Sequence, residues 1–380
     1  MINISKLYCG LAGQSDHLRY GNRDSVGPIV VYNCTSRCNL RCLHCYAASD
    51  STRHDTELST DQAKKLLTDI LEVNAPVVLF SGGEPLLRPD LFELLAEAKR
   101  IGLRTVISTN GTLIDGDTAE KITEANVSYV GISIDGPEEF HNRFRQTSGC
   151  FKATMTGFEN CKKANLRTGL RFTISNSNKE QVPAVFDICK DNGVRRVCFY
   201  HLIRSGRAKD IESQVVSSTD TRKVMDVILE RAADFVAKGL LDEVLTVGNH
   251  ADGPYLLVKM QQQGENIDQP KQLLLSNGGN RIGEKIASVG WDGSVYADQF
   301  WRNYPLGNVT QKTFKQIWTN EDEPVLQKLR NKSKFADKHC LKCKWFDLCK
   351  GNFRFLGSDP ADKNWRLEPG CYLTDAEIGL

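Results

Sequence analysis

The chain has 380 residues, and its 49 basic and 47 acidic side chains give a formal net charge of only +2. A balance of this kind provides no global field for polyanions, so we expect neither a nucleic-acid partner nor a membrane partner. The 13 cysteines are too few for a small disulfide scaffold, and no stretch reaches 18 consecutive apolar residues.

The N-terminal segment, residues 1–26, is predicted to be an extension ahead of the first domain. Its first eight residues, Met1-Ile2-Asn3-Ile4-Ser5-Lys6-Leu7-Tyr8, lack the basic start, apolar run and cleavage site of a signal peptide. We therefore expect a cytoplasmic protein. In a reducing compartment, clustered cysteines are expected to be metal ligands or catalytic groups.

Residues 27–207 are predicted to form a domain of alternating strands and helices around a parallel sheet. Ser59 with Gln62 reads as a capping box ahead of a helix, and Pro89 suits the first turn of a helix that runs to Arg100 and ends at Gly102. Six strands are predicted: Ile29–Tyr32, Val77–Phe80, Arg104–Ser108, Tyr129–Ile134, Leu170–Ile174 and Arg196–Tyr200.

Two further segments are predicted after this domain. Residues 208–285 should be a helical connector and loop: Thr219–Lys238 has an amphipathic helix period, and the polar stretch Gln261–Gln269, closed by Pro270, resembles a surface loop. Residues 286–380 contain short strand-like pieces, turns and four cysteines, and are predicted to be a separate C-terminal domain.

A cysteine cluster with the spacing C-x3-C-x2-C directly follows the first predicted strand and consists of Cys38, Cys42 and Cys45. A [4Fe-4S] cluster has four irons, so three thiolates leave one iron open. Cys34 is a candidate for the fourth ligand. A zinc site that also uses His44 or Cys34 is the alternative.

Polar and glycine residues follow the next three strands. The second strand ends in Ser81-Gly82-Gly83-Glu84-Pro85, the third in Ser108-Thr109-Asn110-Gly111 and the fourth in Ser133-Ile134-Asp135-Gly136. Two glycines allow a ligand to approach the backbone, and the Glu84 carboxylate can accept hydrogen bonds from an ammonium group. Because the carboxyl ends of parallel strands share one edge, we predict a ligand site there.

Together these motifs resemble the radical S-adenosylmethionine (SAM) enzymes. The resemblance implies an α/β fold with a partial (β/α)6 barrel, and a cluster on Cys38, Cys42 and Cys45 whose open iron binds SAM. It also implies reductive cleavage of SAM to methionine and a 5′-deoxyadenosyl radical. The implied SAM contacts are Gly82, Gly83, Glu84, Ser108, Asn110, Ser133 and Asp135, with Arg145 and Arg171 as candidates for the SAM carboxylate or as structural charges.

The terminal cysteines Cys340, Cys343 and Cys349 have the spacing C-x2-C-x5-C, and Cys371 follows after a loop. Spacing alone fits zinc as well as an iron-sulfur cluster. The segment resembles the SPASM or twitch extension of radical SAM enzymes, which implies an auxiliary [4Fe-4S] cluster. Where the full SPASM pattern has further cysteines, this chain has Phe353 and Asp298. We therefore expect two clusters in total, the second with an electron-transfer or structural role.

Shorter motifs resemble the radical SAM subgroup that modifies tetrapyrroles, in particular the 12,18-didecarboxysiroheme deacetylases of the alternative haem pathway, followed by the NirJ-type proteins of haem d1 synthesis. These motifs are Ile4–Cys9, Leu18–Gly21, Asp298–Trp301, Gly307–Val309, Gly351–Arg354 and Cys371–Asp375. The implied reaction removes two acetate side chains from an iron-bound tetrapyrrole and gives iron-coproporphyrin III. The implied partners are that substrate and an unidentified low-potential electron donor.

A flat macrocycle that carries carboxylates needs an apolar slot and cationic groups at its rim. Candidate rim cations, each of which is alternatively an ordinary surface charge, are Arg195, Arg196, Arg204, Arg207, Arg302 and Arg354. His201 is the histidine best placed to ligate iron, but a satisfied polar residue at a strand end is the favoured interpretation. Asp298 and Gln299 either face the substrate or stabilise a turn.

Two other functions compete with this interpretation. A peptide-modifying SPASM maturase would need a peptide-docking module, for which we expect the segment ahead of the first strand to be too short. A non-enzymatic iron-sulfur carrier would need no SAM pocket. The polar residues at the strand ends, after Phe80, Ile107 and Ile132, therefore argue against it.

Overall fold

A computed structural model describes residues 1–11, 16–21, 26–52, 56–352 and 370–380. The strands in this part of the chain are β1 (Ile2–Asn3), β2 (Ile29–Thr35), β3 (Val78–Gly82), β4 (Thr105–Thr109), β5 (Val130–Ser133), β6 (Thr168–Ile174), β7 (Arg196–His201), β8 (Glu243–Val247), β9 (Ile286–Val289), β10 (Ser294–Tyr296) and β11 (Gly307–Asn308).

The helices of the described part cover the outer side of the βα units and form most of the C-terminal region. They are α1 (Ile4–Leu7), α2 (His17–Tyr20), α3 (Thr60–Glu72), α4 (Leu91–Arg100), α5 (Gly116–Glu124), α6 (Glu138–Phe144), α7 (Cys150–Lys163), α8 (Val182–Asn192), α9 (Ser218–Ala237), α10 (Asp252–Gln262), α11 (Asp268–Asn277), α12 (Phe314–Trp318), α13 (Pro324–Arg330), α14 (Lys332–Phe335), α15 (Lys338–Lys342), α16 (Phe346–Cys349) and α17 (Asp375–Ile378).

The strands form one mixed sheet with the order β1-β8-β7-β6-β5-β4-β3-β2-β9-β10-β11. Strands β2 to β8 pair in parallel in chain order, and β9 pairs in parallel with the other edge of β2. Because β2 and β8 do not pair with each other, the barrel is partial, as the sequence predicts. The six predicted strands are all present, and their carboxyl ends lie along one edge.

The hydrophobic core explains why the strands read as apolar runs. Tyr32, Phe80, Ile107, Phe172 and Phe199 come from five neighbouring strands, and each is completely buried. Helices pack on the outer face of the sheet, so strand residues on both faces are removed from water. The predicted capping box of α3 is present. The backbone N–H of Gln62 donates to Ser59 Oγ, and the backbone N–H of Ser59 donates to Gln62 Oε1.

Segment 208–285 differs from the expected connector and loop, because it contains β8, the seventh parallel strand of the sheet, between α9 and α10. Glu243–Val247 is only five residues long and begins soon after α9 ends at Ala237, so the sequence pattern did not reveal it as a strand. Helix α10 continues through Gln262 and α11 begins at Asp268, so the loop predicted over Gln261–Gln269 is reduced to five residues. Pro270 lies in the first turn of α11, and α4 begins two residues after Pro89.

The described part of the chain has no helix that is both long and apolar enough to span a bilayer.

Helix α7 packs so closely on the loop after β4 that one of its positions has no room for a side chain. A Cβ atom on Gly157 would lie 2.2 Å from the Gly111 carbonyl oxygen. Replacing a mid-helix glycine with alanine normally stabilises a helix by about 0.5–1 kcal/mol. We expect Gly157→Ala to lower the free energy of unfolding instead, by about 1–3 kcal/mol, because the backbone must shift.

The matched control is Gly116→Ala at the start of α5, where an added Cβ meets nothing within 4 Å. Urea denaturation of both variants measures the difference. Equal stabilities would show that α7 is not fixed against the β4 loop.

Candidate active site

A cavity lies at the carboxyl ends of β2 to β7, the edge at which the sequence predicts a ligand site. Its wall combines residues far apart in the chain, among them ten of the twelve cluster and SAM residues predicted within residues 27–207. The predicted residues in its lining are Cys38, Cys42, Cys45, Gly82, Gly83, Ser108, Asn110, Ser133, Arg145 and Arg171. Apolar side chains, including Leu40, Ile203 and Phe300, complete the wall. The cavity therefore offers both polar and apolar contacts to a ligand.

The cysteine loop that follows β2 is held by three hydrogen bonds to its backbone carbonyl groups. The Cys38 N–H donates to the Asp50 carbonyl at 2.6 Å. Arg207 donates from Nε to the Cys42 carbonyl and from Nη1 to the Ser49 carbonyl, both at 2.8 Å. Arg207, a candidate for the substrate rim, thus fixes this loop instead.

The loop also docks on the turn after β3, which explains the two glycines there. The Gly83 N–H donates to the Thr35 carbonyl at 2.8 Å, and the Glu84 N–H donates to the Arg37 carbonyl at 2.7 Å. A Cβ atom on Gly82 would lie 2.4 Å from the Thr35 carbonyl oxygen, and one on Gly83 would lie 2.0 Å from that of Arg37. The glycines therefore admit the cysteine loop itself, in addition to lining the cavity.

Glu84 is completely buried and does not line the cavity. Its Oε1 accepts from Thr109 Oγ1 at 2.7 Å and from the Leu86 N–H at 3.2 Å, and its Oε2 accepts from the Asn110 N–H at 2.8 Å. Burial raises the pKa of this carboxyl, whereas the three donors oppose the rise. The structure shows Glu84 bracing β3 and β4, and its contact with a ligand stays a prediction.

Asp135 is likewise turned away from the cavity and anchors Arg145, which lines it. The Arg145 Nε donates to Asp135 Oδ2 at 2.7 Å, and both side chains are almost fully buried. Burial alone would raise the pKa of Asp135, but Arg145 and then His44 hold it below its usual range. The ion pair neutralises much of the Arg145 charge that a ligand carboxylate would meet.

Arg171 differs from Arg145 because it forms no ion pair with a carboxylate among the described residues. Its guanidinium extends across β5, over Gly131, and donates to Ser108 Oγ. A Cβ atom on Gly131 would lie 2.1 Å from Arg171 Nε, so only glycine admits this arginine. The remaining neighbours include Tyr129, whose ring centroid lies 6.0 Å from the guanidinium carbon. Arg171 is therefore a half-buried positive charge on the cavity wall that can receive an anion.

Cys34 is excluded as a cluster ligand by its position inside β2. The side chain is completely buried in the core, and its thiol donates to the Ser81 carbonyl at 3.3 Å. By contrast, Cys38, Cys42 and Cys45 all line the cavity. Burial raises the pKa of Cys38 to about 11 and that of Cys42 to about 12, so their thiolate forms need a bound cation.

The arrangement of these thiols fits a cluster better than a single ion. Among the residues that the structure describes, no three His, Cys, Asp or Glu side chains are placed to hold one metal ion. In a [4Fe-4S] cluster each cysteine binds a different iron, so the thiols need only surround a common space. The three thiols around the cavity meet this requirement, which supports the cluster over the zinc alternative.

The terminal cysteines lie around α15 and α16. Cys340 is in α15, Cys349 ends α16, and the Asn280 N–H donates to the Cys349 carbonyl at 2.9 Å. Burial, followed by the neighbouring thiols of Cys371, Cys340 and Cys343, raises the pKa of Cys349. The thiols of Cys340, Cys343, Cys349 and Cys371 therefore lie near one another in the fold, although Cys371 is far from the other three in the sequence.

The remaining predictions around the cavity have mixed outcomes. Asp298 Oδ1 accepts from the Phe300 and Trp301 N–H groups, both at 2.8 Å, so Asp298 stabilises a turn, whereas Gln299 lines the cavity. Arg195 pairs with Asp242, and Arg196 with Glu243. None of the described rim candidates, Arg195, Arg196, Arg204, Arg207 and Arg302, lines the cavity. Phe353 and Arg354 lie outside the described residues.

Sequence reasoning missed two residues that continue the cavity wall inward from His201. His201 Nε2 lies 3.0 Å from Asp252 Oδ2, and Tyr372 Oη donates to Asp252 Oδ1 at 2.7 Å. Burial and then Asp252 raise the pKa of Tyr372 well above its usual range, so the phenol remains a donor. Asp252 lies in no local motif, and Tyr372 lies in the Cys371–Asp375 motif without a predicted role, because their contact joins segments 120 residues apart.

Comparison with known proteins agrees with this geometry. The model of the radical SAM superfamily matches residues 32–199, and that of the SPASM iron-sulfur cluster-binding domain matches residues 281–344. Fe-coproporphyrin III synthase of Methanosarcina barkeri is 44% identical over 100% of this chain and 99% of its own. Pre-heme d1 synthase of Dinoroseobacter shibae is 35% identical over 94% of this chain and 89% of its own.

A similar fold is found in the solved structure of native anSMEcpe with bound AdoMet. The TM-score is 0.66 at 23% sequence identity, with coverage of 85% of this chain and 88% of that chain.

The bracing role of Glu84 predicts the effect of a nearly isosteric substitution. In Glu84→Gln one acceptor oxygen becomes an NH2 group that faces buried donors, so at least one donor loses its partner. We expect the free energy of unfolding to fall by about 1–3 kcal/mol in urea denaturation. Glu124→Gln, at the exposed end of α5, should change it by less than about 0.5 kcal/mol. Equal stability of the two variants would contradict the bracing role.

Proposed function

The chain belongs to the radical SAM superfamily, with an SPASM iron-sulfur domain, and on this premise we propose its reaction and its site residues. The reaction is the removal of the two acetate side chains of iron-bound 12,18-didecarboxysiroheme, which gives iron-coproporphyrin III. The observation that carries this proposal is the similarity to Fe-coproporphyrin III synthase along the whole of both chains.

The cofactors of this family are SAM, a SAM-binding [4Fe-4S] cluster and, in the SPASM domain, an auxiliary iron-sulfur cluster. We assign the first cluster to Cys38, Cys42 and Cys45, and the auxiliary cluster to Cys340, Cys343, Cys349 and Cys371. When bound and reduced, the first cluster supplies the cleavage of SAM to a 5′-deoxyadenosyl radical. The protein must hold SAM and substrate within one space that excludes water.

The charge partners of Arg145 and Arg171, which both line the cavity, differ and support separate roles for the two side chains. Arg145 already pairs with Asp135, so it contributes hydrogen bonds more than net charge. Arg171 is half-buried among neutral partners, and a carboxylate beside it would gain a charge-assisted hydrogen bond. We assign Arg171 to a carboxylate of the bound ligand, with Ser108 as its positioning residue.

The apolar part of the wall suits the flat face of a macrocycle. Leu40, Ile203 and Phe300 line it, and Phe300 packs edge-on against Tyr46, with ring centroids 5.2 Å apart. Tyr46 is fixed in turn, because its hydroxyl donates to Asn33 Oδ1 at 2.7 Å. Contacts of this kind bury ring surface and keep water from a reactive radical. The reducing electron would come from a low-potential donor.

Two other reactions within the superfamily are the alternatives. Similarity to pre-heme d1 synthase supports a reaction at other tetrapyrrole side chains. A peptide-modifying maturase has weaker support, because the cysteine-type sulfatase-maturating enzyme of Clostridium perfringens is 26% identical.

The reaction is tested by incubating the anaerobically reconstituted protein with SAM, dithionite and didecarboxysiroheme. We expect 5′-deoxyadenosine and a pigment whose mass has fallen by two acetate groups. Cys42→Ser should abolish both products, whereas Cys9→Ser, which changes a half-buried thiol remote from the cavity, should retain them. Formation of 5′-deoxyadenosine with altered propionates would favour haem d1 chemistry, and an unchanged pigment would contradict both tetrapyrrole reactions.

The assignment of the auxiliary ligands is tested by Cys343→Ser. Two [4Fe-4S] clusters hold about eight irons, so the variant should retain about four after reconstitution. Cleavage of SAM by the first cluster should persist, while full conversion of the tetrapyrrole should fall. Unchanged iron content and turnover would show that Cys343 does not hold a cluster.

A further inference from the structure

Three side chains form a buried hydrogen-bonded chain that ends at the cavity. His201 is the last residue of β7 and lines the cavity, Asp252 is the first residue of α10, and Tyr372 lies in the C-terminal region. The two contacts of Asp252 measure 3.0 Å to His201 Nε2 and 2.7 Å to Tyr372 Oη. The proposed function assigns no role to these three hydrogen-bonded side chains.

The carboxylate of Asp252 determines which nitrogen of His201 carries the proton. Asp252 is completely buried, and neither Arg nor Lys forms an ion pair with it within the described ranges. A buried carboxylate needs hydrogen-bond donors, and Tyr372 satisfies only one of its oxygens. Of the two tautomers of His201, the one with its proton on Nε2 can donate to Asp252, and it carries its lone pair on Nδ1.

The other ring nitrogen of His201 is available to a ligand. The described residues contribute no hydrogen-bond partner for Nδ1, and the side chain keeps 13% of its surface exposed. The adjoining wall is apolar, since Leu202 and Ile203 follow His201 and Phe300 also contributes to the lining. In this tautomer the lone pair on Nδ1 of His201 is available to a flat macrocycle bound in the cavity.

An imidazole whose other nitrogen donates to a carboxylate is the usual form of a metal-bound histidine, and histidine is a common axial ligand of haem iron. We infer that His201 ligates the iron of the tetrapyrrole substrate through Nδ1, with Asp252 and Tyr372 as positioning residues. This inference rests on the proposed function and adds a contact that selects the iron-bearing macrocycle over the metal-free one. The atom that would bind the iron, Nδ1 of His201, belongs to the barrel. Tyr372, which donates to Asp252, belongs to the C-terminal region.

The direct test compares binding of iron-coproporphyrin III and metal-free coproporphyrin III to the reconstituted full-length protein. We expect the wild type to bind the iron form at least about 10-fold more tightly, and to show the electron paramagnetic resonance signature of an axial nitrogen ligand. In His201→Ala the preference and the signature should be lost, and added imidazole should restore the signature. An unchanged nitrogen signature in His201→Ala would overturn the inference.

Two further variants separate ligation from a structural role. His201→Gln keeps an N–H donor for Asp252 but removes the imidazole, so it should fold with full cluster content and still lose the signature. Asp252→Asn should keep the iron ligated but lower the iron–nitrogen stretching frequency in the ferrous complex, because the imidazole becomes a weaker donor. An unshifted frequency would contradict the positioning role. His339→Ala, at an exposed site in α15, serves as the control.

Failure of this inference and failure of the proposed function give different results. If the wild type deacetylates didecarboxysiroheme and His201→Gln retains the nitrogen signature, only the ligand assignment is wrong. If the wild type binds neither macrocycle and leaves didecarboxysiroheme unchanged, the proposed function is wrong and the ligand assignment falls with it.

Discussion

The buried carboxylate of Glu84 is the interaction on which the candidate site depends. It satisfies backbone and hydroxyl donors from the turn after β3 and from the end of β4, while its own N–H holds the cysteine loop after β2. Three consecutive strand ends are thereby joined through one residue, Glu84, by its carboxylate and its backbone N–H. The cysteine loop has little regular structure of its own, so its position follows from these bonds and from the close approach that Gly82 and Gly83 permit.

The same principle recurs at the opposite side of the cavity, where buried carboxylates position the groups that face the ligand. Asp135 orients Arg145, and Asp252 orients His201. In each case the acid itself is withdrawn from the cavity and the base lines it. A buried charge is costly unless it is paired and hydrogen-bonded, so such arrangements are rigid. Rigidity has a functional value here, because a radical must meet one hydrogen atom of the substrate and not another.

The C-terminal region is joined to the barrel by polar contacts with the β8–α10 segment and α9. Asn352 Nδ2 donates to Asn249 Oδ1 at 2.6 Å, Tyr372 bonds to Asp252, and Arg222 forms a bidentate pair with Glu377. These contacts couple the segment that holds the terminal cysteines to the wall that holds His201. Hydrogen bonds and an ion pair therefore connect the C-terminal region, to which we assign the auxiliary cluster, with the wall of the candidate active site.

Local patterns predicted much of this architecture, because short-range physics determines them. The six strands, the capping box of α3, and both cysteine sets follow from periodicity and spacing within a few residues. The strand β8 was missed because its neighbours in the sheet decide it, and the loop between α10 and α11 is shorter than predicted because both helices extend into it. Glu84, Asp135 and Arg207 make structural contacts that the sequence did not predict, for a related reason. A side chain at a strand end can face the ligand or brace the wall, and only the packed structure distinguishes the two.

The central claim is that the cavity brings a radical generated from SAM to a side chain of an iron-bound tetrapyrrole. Didecarboxysiroheme deuterated in its acetate side chains, incubated with SAM and reductant, tests this most directly through the mass of the 5′-deoxyadenosine formed. We predict that deuterium from the substrate appears in 5′-deoxyadenosine as the acetates are lost. Loss of the acetates with unlabelled 5′-deoxyadenosine would contradict direct abstraction at these side chains, and formation of unlabelled 5′-deoxyadenosine with intact substrate would contradict the claim as a whole.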